Sequence, residues 1–253
     1  MKITFLGTGT SQGVPVIGCR CLACMSDDIR DKRLRSSILV QQDDFTMVVD
    51  TGPDFRQQML RTGVGRLDAV LYTHEHRDHI AGLDDIRAFN FIQSQSMDIF
   101  TEKRVLKALK EAFPYVFAQD RYPGVPRVHV HIISTDPFRV GPLDIVPVRI
   151  MHYRLPVLGF RFGDFAYLTD GNAISEREKT KLKGLKYLAV NALRKEDHIS
   201  HFTLSQAVAL IGSLHPDKGF LTHISHQMGP VSQFEKELPS NISAAYDGLV
   251  LEL

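Results

Sequence analysis

Thr73-His74-Glu75-His76-Arg77-Asp78-His79 crowds three histidines and an aspartate into one short stretch, directly after the largely apolar run Leu67-Asp68-Ala69-Val70-Leu71-Tyr72. Such a stretch reads as a metal site and not as core. Imidazole nitrogens and carboxylates are the usual ligands of zinc and similar divalent ions, and a catalytic site keeps one position open for water. With Ala69 to Tyr72 as a strand, His74 and His76 leave its C-terminal end as a compact chelate, and Asp78 and His79 face a second ion. A plain helix start capped by Asp78 would need one acceptor, not three imidazoles beside it.

All three cysteines lie in Cys19-Arg20-Cys21-Leu22-Ala23-Cys24, after Gly18. An odd number of cysteines without a secretory signal argues against a disulfide framework. Thiolates this close can hold three corners of a tetrahedral zinc, with the fourth ligand from elsewhere. Reduced, partly buried thiols and a redox-active pair are the other readings of the same six residues.

At 253 residues the chain is long enough for a large core, and residues 1–253 read as a single domain with no repeat, low-complexity segment or linker. Lys plus Arg is 30 against 29 for Asp plus Glu, so no basic field is available for nucleic acid or an anionic membrane, and a small-molecule partner is expected. Met1 to Gly7 lacks the apolar core and cleavage site of a signal peptide, and no stretch has the length of a membrane span. These features predict a cytoplasmic protein. A homodimer is left open.

Strands and helices alternate. Lys2 to Leu6 is read as the first strand, followed by a glycine-rich loop that lacks the Lys-Ser/Thr ending of a phosphate-binding P-loop. Ser37 to Gln42 and Phe45 to Val49 form a hairpin about Asp43-Asp44, and Asp54 caps a helix through Arg61. A helix from His79 to Asn90, one from Thr101 to Ala112 and a strand from Val128 to Ile133 follow. Leu143 to Ile150 leads to His152, and a hairpin, Leu158 to Phe162 with Phe165 to Leu168, runs into Thr169-Asp170-Gly171. Further strands are expected at Leu185 to Val190 and Gly219 to Leu221, the latter entering Thr222-His223-Ile224-Ser225-His226. Metal-capable residues thus recur at strand ends, where neighbouring termini can converge on one edge of a sandwich.

In Thr73-His74-x-His76-x-Asp78-His79, with Asp50, His152, Asp170 and His223 in order behind their strands, the whole chain resembles the metallo-β-lactamase superfamily. The implied fold is an α/β (αββα) sandwich, two mixed β-sheets flanked by helices. Gln12-Gly13-Val14-Pro15, the Gly18-Cys19-x-Cys21-x-x-Cys24 cluster and Leu221-Thr222-His223-Ile224-Ser225-His226-Gln227 resemble the PhnP-type cyclic phosphodiesterases, which act on 5-phosphoribosyl 1,2-cyclic phosphate. The resemblance implies two divalent ions, manganese or zinc, at the active site: one held by His74, His76 and His152, the other by Asp78, His79 and His223, with Asp170 and a hydroxide between them. It implies a structural zinc on Cys19, Cys21, Cys24 and His226. Asp50 would support the metal histidines, and His201 would be an active-site histidine outside the ligand set.

Two divalent ions about 3.5–4 Å apart activate a shared water and neutralise charge on phosphoryl oxygens, which suits an anionic diester. His201 would protonate the leaving oxygen or bond the phosphoryl group. Arg154, Arg194 and Lys195 are candidate phosphate contacts. His129 and His131 share a strand face but have no carboxylate in sequence beside them, so they are not read as ligands, and His198 and His215 are read as exposed loop residues. A transfer-RNA 3′-processing nuclease uses the same metal core but calls for a basic or Gly/Pro-rich arm. A glyoxalase-type thioesterase would need a helical extension after its last metal histidine, and a secreted β-lactamase an export signal. A non-catalytic metal-dependent binding protein is the alternative from outside the enzymes.

Overall fold

The hairpin of Ser37–Gln42 and Phe45–Val49 sits in the middle of a sheet, so both faces of its inner part are covered and Ile38, Leu39, Val40, Met47, Val48 and Val49 are buried. The computed structural model describes residues 1–120 and 122–253. The first sheet runs from β1 (Lys2–Gly7) through β2 (Ser37–Gln42), β3 (Phe45–Val49), β4 (Ala69–Leu71) and β5 (Met97–Thr101) to β6 (Val128–Ile132) at its edge. The second is built from β7 (Phe138–Val140), β8 (Leu143–His152), β9 (Leu155–Phe162), β10 (Phe165–Leu168), β11 (Ala173–Ile174), β12 (Tyr187–Asn191), β13 (Lys218–Thr222) and β14 (Ile242–Ala244). β15 (Val250–Glu252) returns to the first sheet beside β1. The order is β15-β1-β2-β3-β4-β5-β6 in one sheet and β11-β8-β9-β10-β12-β13-β14 in the other, with β7 on β8. Both mix parallel and antiparallel pairs.

Three apolar clusters fill the three spaces of a four-layer sandwich. Between the sheets lie Phe5, Ile38, Val49, Leu158, Phe160, Tyr167 and Phe220. Outside the first sheet, Phe55, Leu83, Phe89 and Leu109 pack against Val48, Val70 and Ile99, which brings in α1 (Phe55–Thr62), α3 (Arg87–Gln93) and α4 (Lys103–Ala112). Outside the second, Leu204, Ala207, Leu210 and Ile211 of the helix Leu204–Leu214 cover Leu188, Val190 and Leu221. That helix opens with a capping box in which Thr203 and Gln206 satisfy each other's backbone amides.

Three local expectations need correction. Asp54 precedes α1 but makes no cap bond; its carboxylate takes the Arg35 amide at 2.8 Å and the Arg35 guanidinium at 3.2 Å, tying the helix start to the loop before β2. The helix expected over His79 to Asn90 is broken into α2 (Arg77–Ile80), a 3₁₀ turn at Leu83–Ile86, and α3. The cause is a close backbone approach: a Cβ at Gly82 would stand 2.2 Å from the Gly52 carbonyl, and one at Gly52 would stand 2.2 Å from that of Asp78. Thr101 closes β5 instead of opening α4, because it is buried and continues the parallel ladder with β6 opposite Ile132.

Candidate metal centre

Strand ends deliver the site. Asp50 follows β3, Thr73 to His79 follow β4, His152 ends β8, Asp170 follows β10 and His223 follows β13. Asp50, Asp170 and His223 have φ of 66°, 61° and 53°, and Tyr153, next to His152, has 58°. Left-handed backbone costs a non-glycine residue roughly 1–2 kcal/mol, and four such residues gathered here mark a place where side-chain direction outweighs backbone ease.

Asp170 is the hub. Its Oδ1 lies 3.1 Å from His223 Nδ1 and 3.4 Å from His79 Nε2, and its Oδ2 lies 3.4 Å from His201 Nε2 and 3.8 Å from His74 Nε2. Asp78, His79, Asp170 and His223 offer ligand atoms that all lie within 4.8 Å of one another, as do His74, His76 and Asp170, and again His152, Asp170 and His201. His152 therefore gathers with Asp170 and His201 and not directly with His74 and His76, although its ring centroid is 5.0 Å from that of His76. Nε2 of His74 and of His79 is buried without a hydrogen-bond partner. Orphaned imidazole nitrogens aimed at a carboxylate hub are what divalent cations would satisfy, so the donor set fits the ions that the sequence implies.

The other ring nitrogens of His79, His74 and His152 are engaged behind the site, whereas His223 turns the same Nδ1 to Asp170 and to Ser36. Asp50, fully buried, receives the Thr73 amide at 2.8 Å and the Thr73 hydroxyl at 2.7 Å, and lies 2.7 Å from His79 Nδ1. His152 Nδ1 lies 2.9 Å from the Ser200 carbonyl, His74 Nδ1 2.9 Å from Thr73 Oγ1, and His223 Nδ1 3.1 Å from Ser36 Oγ. Partners of this kind fix tautomer and ring direction. Ser200 and Ser36 escaped the sequence reading: a backbone carbonyl has no sequence signal, and Ser36 is 187 positions from His223. Thr73, inside the signature, could have been named.

Electrostatics follow from burial around that hub. Burial pushes His74 well below the ordinary histidine range, lowers His152, and takes His223 down to about 4. His79 is also buried, but the carboxylates of Asp170, Asp78 and Asp50 overcome this and hold it well above that range. Burial works against ionised Asp170, yet His223 and His79 keep its carboxyl well below the usual range. Burial raises Asp50, against the pull of His79 and Thr73.

Cys19, Cys21, Cys24 and His226 form a second group with ligand atoms within 4.8 Å of one another, and His226 Nδ1 is 3.3 Å from Cys19 Sγ and 3.4 Å from Cys21 Sγ. No cysteine is in a disulfide. For Cys21, burial pushes upward but hydrogen bonds from the Cys24 backbone, His226 and the other thiols bring it down to about 6; for Cys24, burial and its thiol neighbours raise it to about 11. The cluster takes one negative charge easily and resists the next, so a cation is what would let all three be thiolates.

His201 stacks on His223 with centroids 5.0 Å apart, and its Nδ1 lies 3.2 Å from His198 Nδ1. His198 is thus half-buried beside the site, not a free loop residue, while His215 is exposed as expected. Arg194 and Lys195 bind their own surroundings, Gln227 and Glu237 respectively, and exposed Arg154 lies over the Tyr153 ring. His129 and His131 do have a carboxylate beside them, Asp98, which comes from the neighbouring strand and so is invisible to local spacing.

Residues 46–224 match the family model of the beta-lactamase superfamily domain. A Porphyromonas gingivalis protein named octanoyltransferase is 42% identical over 98% of this chain and 51% of its own length. Coenzyme PQQ synthesis protein B of Xanthomonas euvesicatoria pv. vesicatoria is 29% identical over 62% of this chain and 52% of its own. The chain spans about half the length of these curated relatives. Among solved structures, a diphosphatase from the PhnP family superimposes with a TM-score of 0.93 at 38% identity, covering 100% of this chain and 97% of that one. Zinc-bound PqqB from Methylobacterium extorquens, at 19% identity and a TM-score of 0.81 over 100% of both chains, shares the fold. With its sandwich of two mixed sheets and its histidines and aspartates gathered at the strand ends, the chain belongs to the beta-lactamase superfamily and has the metallo-β-lactamase fold.

Proposed function

We propose that the chain is a metal-dependent hydrolase of small phosphodiesters, with a cyclic ribose phosphate such as 5-phosphoribosyl 1,2-cyclic phosphate as the substrate class. The observation that carries this reading is Asp170, buried and shared by three groups of ligand atoms, with His201 Nε2 3.4 Å away. When bound, a pair of divalent cations lowers the pKa of a shared water toward neutrality and offsets the charge of the phosphoryl oxygens. Asp170 holds the two halves of the site in register. His74, His76 and His152 serve one half, and Asp78, His79 and His223 the other, with Asp50 and Thr73 fixing ring directions. His201 gives a proton to the departing oxygen. The thiolate cluster with His226 takes a structural zinc and keeps the loop bearing His223 in place.

The likeness to a PhnP-family diphosphatase supports phosphoryl chemistry and favours a second reading, hydrolysis of a diphosphate, since either reaction sends water to an anionic phosphorus. A net charge of +1 speaks against gripping a long RNA. The octanoyltransferase relative is about twice as long as the matched region, so its name does not say which half transfers the acyl group. The test is an assay of metal-replete protein on cyclic diesters, linear diesters, diphosphates and RNA. Turnover of a cyclic diester that disappears in Asp170→Asn supports the proposal; preference for diphosphates selects the second reading. No turnover of any of them at confirmed metal content would leave a binding protein.

A further inference from the structure

We propose that Asp98, His129 and His131 form a third kind of metal site, at the open edge of the first sheet on the face that carries Phe100, for a borderline divalent ion such as zinc, copper or nickel. His129 and His131 are two apart on β6 and so project from the same face. In the parallel ladder Asp98 of β5 is opposite His129, and Phe100 is opposite His131. The result is convergence on one atom: Asp98 Oδ1 lies 3.1 Å from His129 Nδ1 and 2.9 Å from His131 Nε2. Ligand atoms of all three residues lie within 4.8 Å of one another.

Packing fixes the ring that matters most. His131 stacks on Phe100 with centroids 4.5 Å apart and planes 11° from parallel, and Phe100 stacks in turn on Phe138 at 5.9 Å. That column holds His131 with Nε2 toward Asp98 before any ion arrives. Around an ion with bonds of about 2.0–2.1 Å, the two nitrogen to oxygen separations correspond to angles of roughly 90–100°, compatible with adjacent positions of one coordination shell. β6 is the edge strand of its sheet and the three side chains are 46%, 70% and 36% exposed in the order Asp98, His129, His131, so water can complete the shell.

Chemistry narrows the ion. Two imidazoles and one carboxylate suit zinc, copper and nickel, whereas magnesium and calcium prefer all-oxygen shells. The site shares no residue with the Asp170 centre or the cysteine cluster.

Wild-type protein and the His129→Gln/His131→Gln double variant, both loaded with metal at the other centres, are dialysed against free zinc and their content measured. The expected result is one zinc per chain fewer in the variant, with phosphodiester turnover and cysteine-bound zinc unchanged. Copper(II) offered to the same two proteins should give, in the wild type alone, an electron paramagnetic resonance spectrum with coupling to two imidazole nitrogens. Equal zinc content in both proteins, or the same two-nitrogen copper signal in both, would overturn the proposal. Asp98→Asn is the second variant: it keeps the shape, removes the charge, and should weaken binding without abolishing the two-nitrogen signal.

Discussion

His223 and His226 are three residues apart on one loop and face different centres: His223 Nδ1 is 3.1 Å from Asp170 Oδ1, and His226 Nδ1 is 3.3 Å from Cys19 Sγ. The intervening Ile224 is held by backbone bonds to Thr8 and Thr10, so the loop moves as a piece. An ion on the thiolates would therefore set where a ligand of the Asp170 centre can stand.

Cys21→Ala is expected to lower thermal stability and weaken retention of the active-site ions together. For a chain of this size each kcal/mol lost shows as roughly 2–4 °C in Tm. A variant that loses its zinc while keeping wild-type melting and wild-type metal affinity would show that the loop is not braced this way.

His201→Ala should stay folded and metal-replete but turn over about 10²–10⁴-fold more slowly, the range for a positioned proton donor. The loss should be greater for alkyl or ribosyl leaving groups than for phenolates, which depart with little protonation. Equal losses on both would assign His201 to the phosphoryl oxygens instead, and parental rates on alkyl diesters would remove it from the chemistry.

Thr73→Val removes a hydroxyl that bonds Asp50 at 2.7 Å and lies 2.9 Å from His74 Nδ1. Leaving that buried carboxylate short of a donor should cost about 1–3 kcal/mol of stability, read by denaturant unfolding. Active-site metal affinity should fall by about 10–100-fold, the usual effect of losing a partner behind the ligands. Unchanged affinity would mean that Asp50 and His79 alone fix the ring directions.

Chelated protein should lose stability as pH falls from 6.5 toward 4. His223 is held down to about 4 in the fold, against 6.5 when free, and His74 and His152 are lowered in the same sense. Over that window the unfolded chain binds more protons, so acid favours unfolding. His79 acts above it: with its folded pKa raised, its contribution is complete below 6.5 and fades as pH rises. Melting of chelator-treated protein at pH 4.5, 6.5 and 8.5 should peak near the middle value. A melting temperature that holds or rises from pH 6.5 down to 4.5 would contradict this account.

Sequence spacing disclosed what is local. The hairpin at Ser37 to Val49 could be read residue by residue because apolar runs and a two-residue Asp-Asp turn are short-range signals. Asp170 and His223 stand out only through their order behind the Thr73 to His79 signature and the resemblance it carries, since a lone residue after a strand draws no notice. Long-range contacts were not legible: Ser36 behind His223, Asp98 beside His129, and the Gly52 to Gly82 approach that breaks the expected helix all depend on which strands become neighbours. Asp54 looked like a cap because position alone cannot show that Arg35 competes for it.

The two sheets contribute to the centre unequally but jointly: the first carries His74 to His79 at its strand ends, the second carries His152, Asp170 and His223. Ions bound there would each work as a rivet through two plates. A slip of one plate over the other by a fraction of an ångström would loosen both rivets together, so the filling between the plates, Phe160, Tyr167 and Phe220 among them, would set metal affinity from a distance. Resizing one of these rings would change the grip on the ions without touching a ligand, and the ions in turn would stiffen the sandwich against shear.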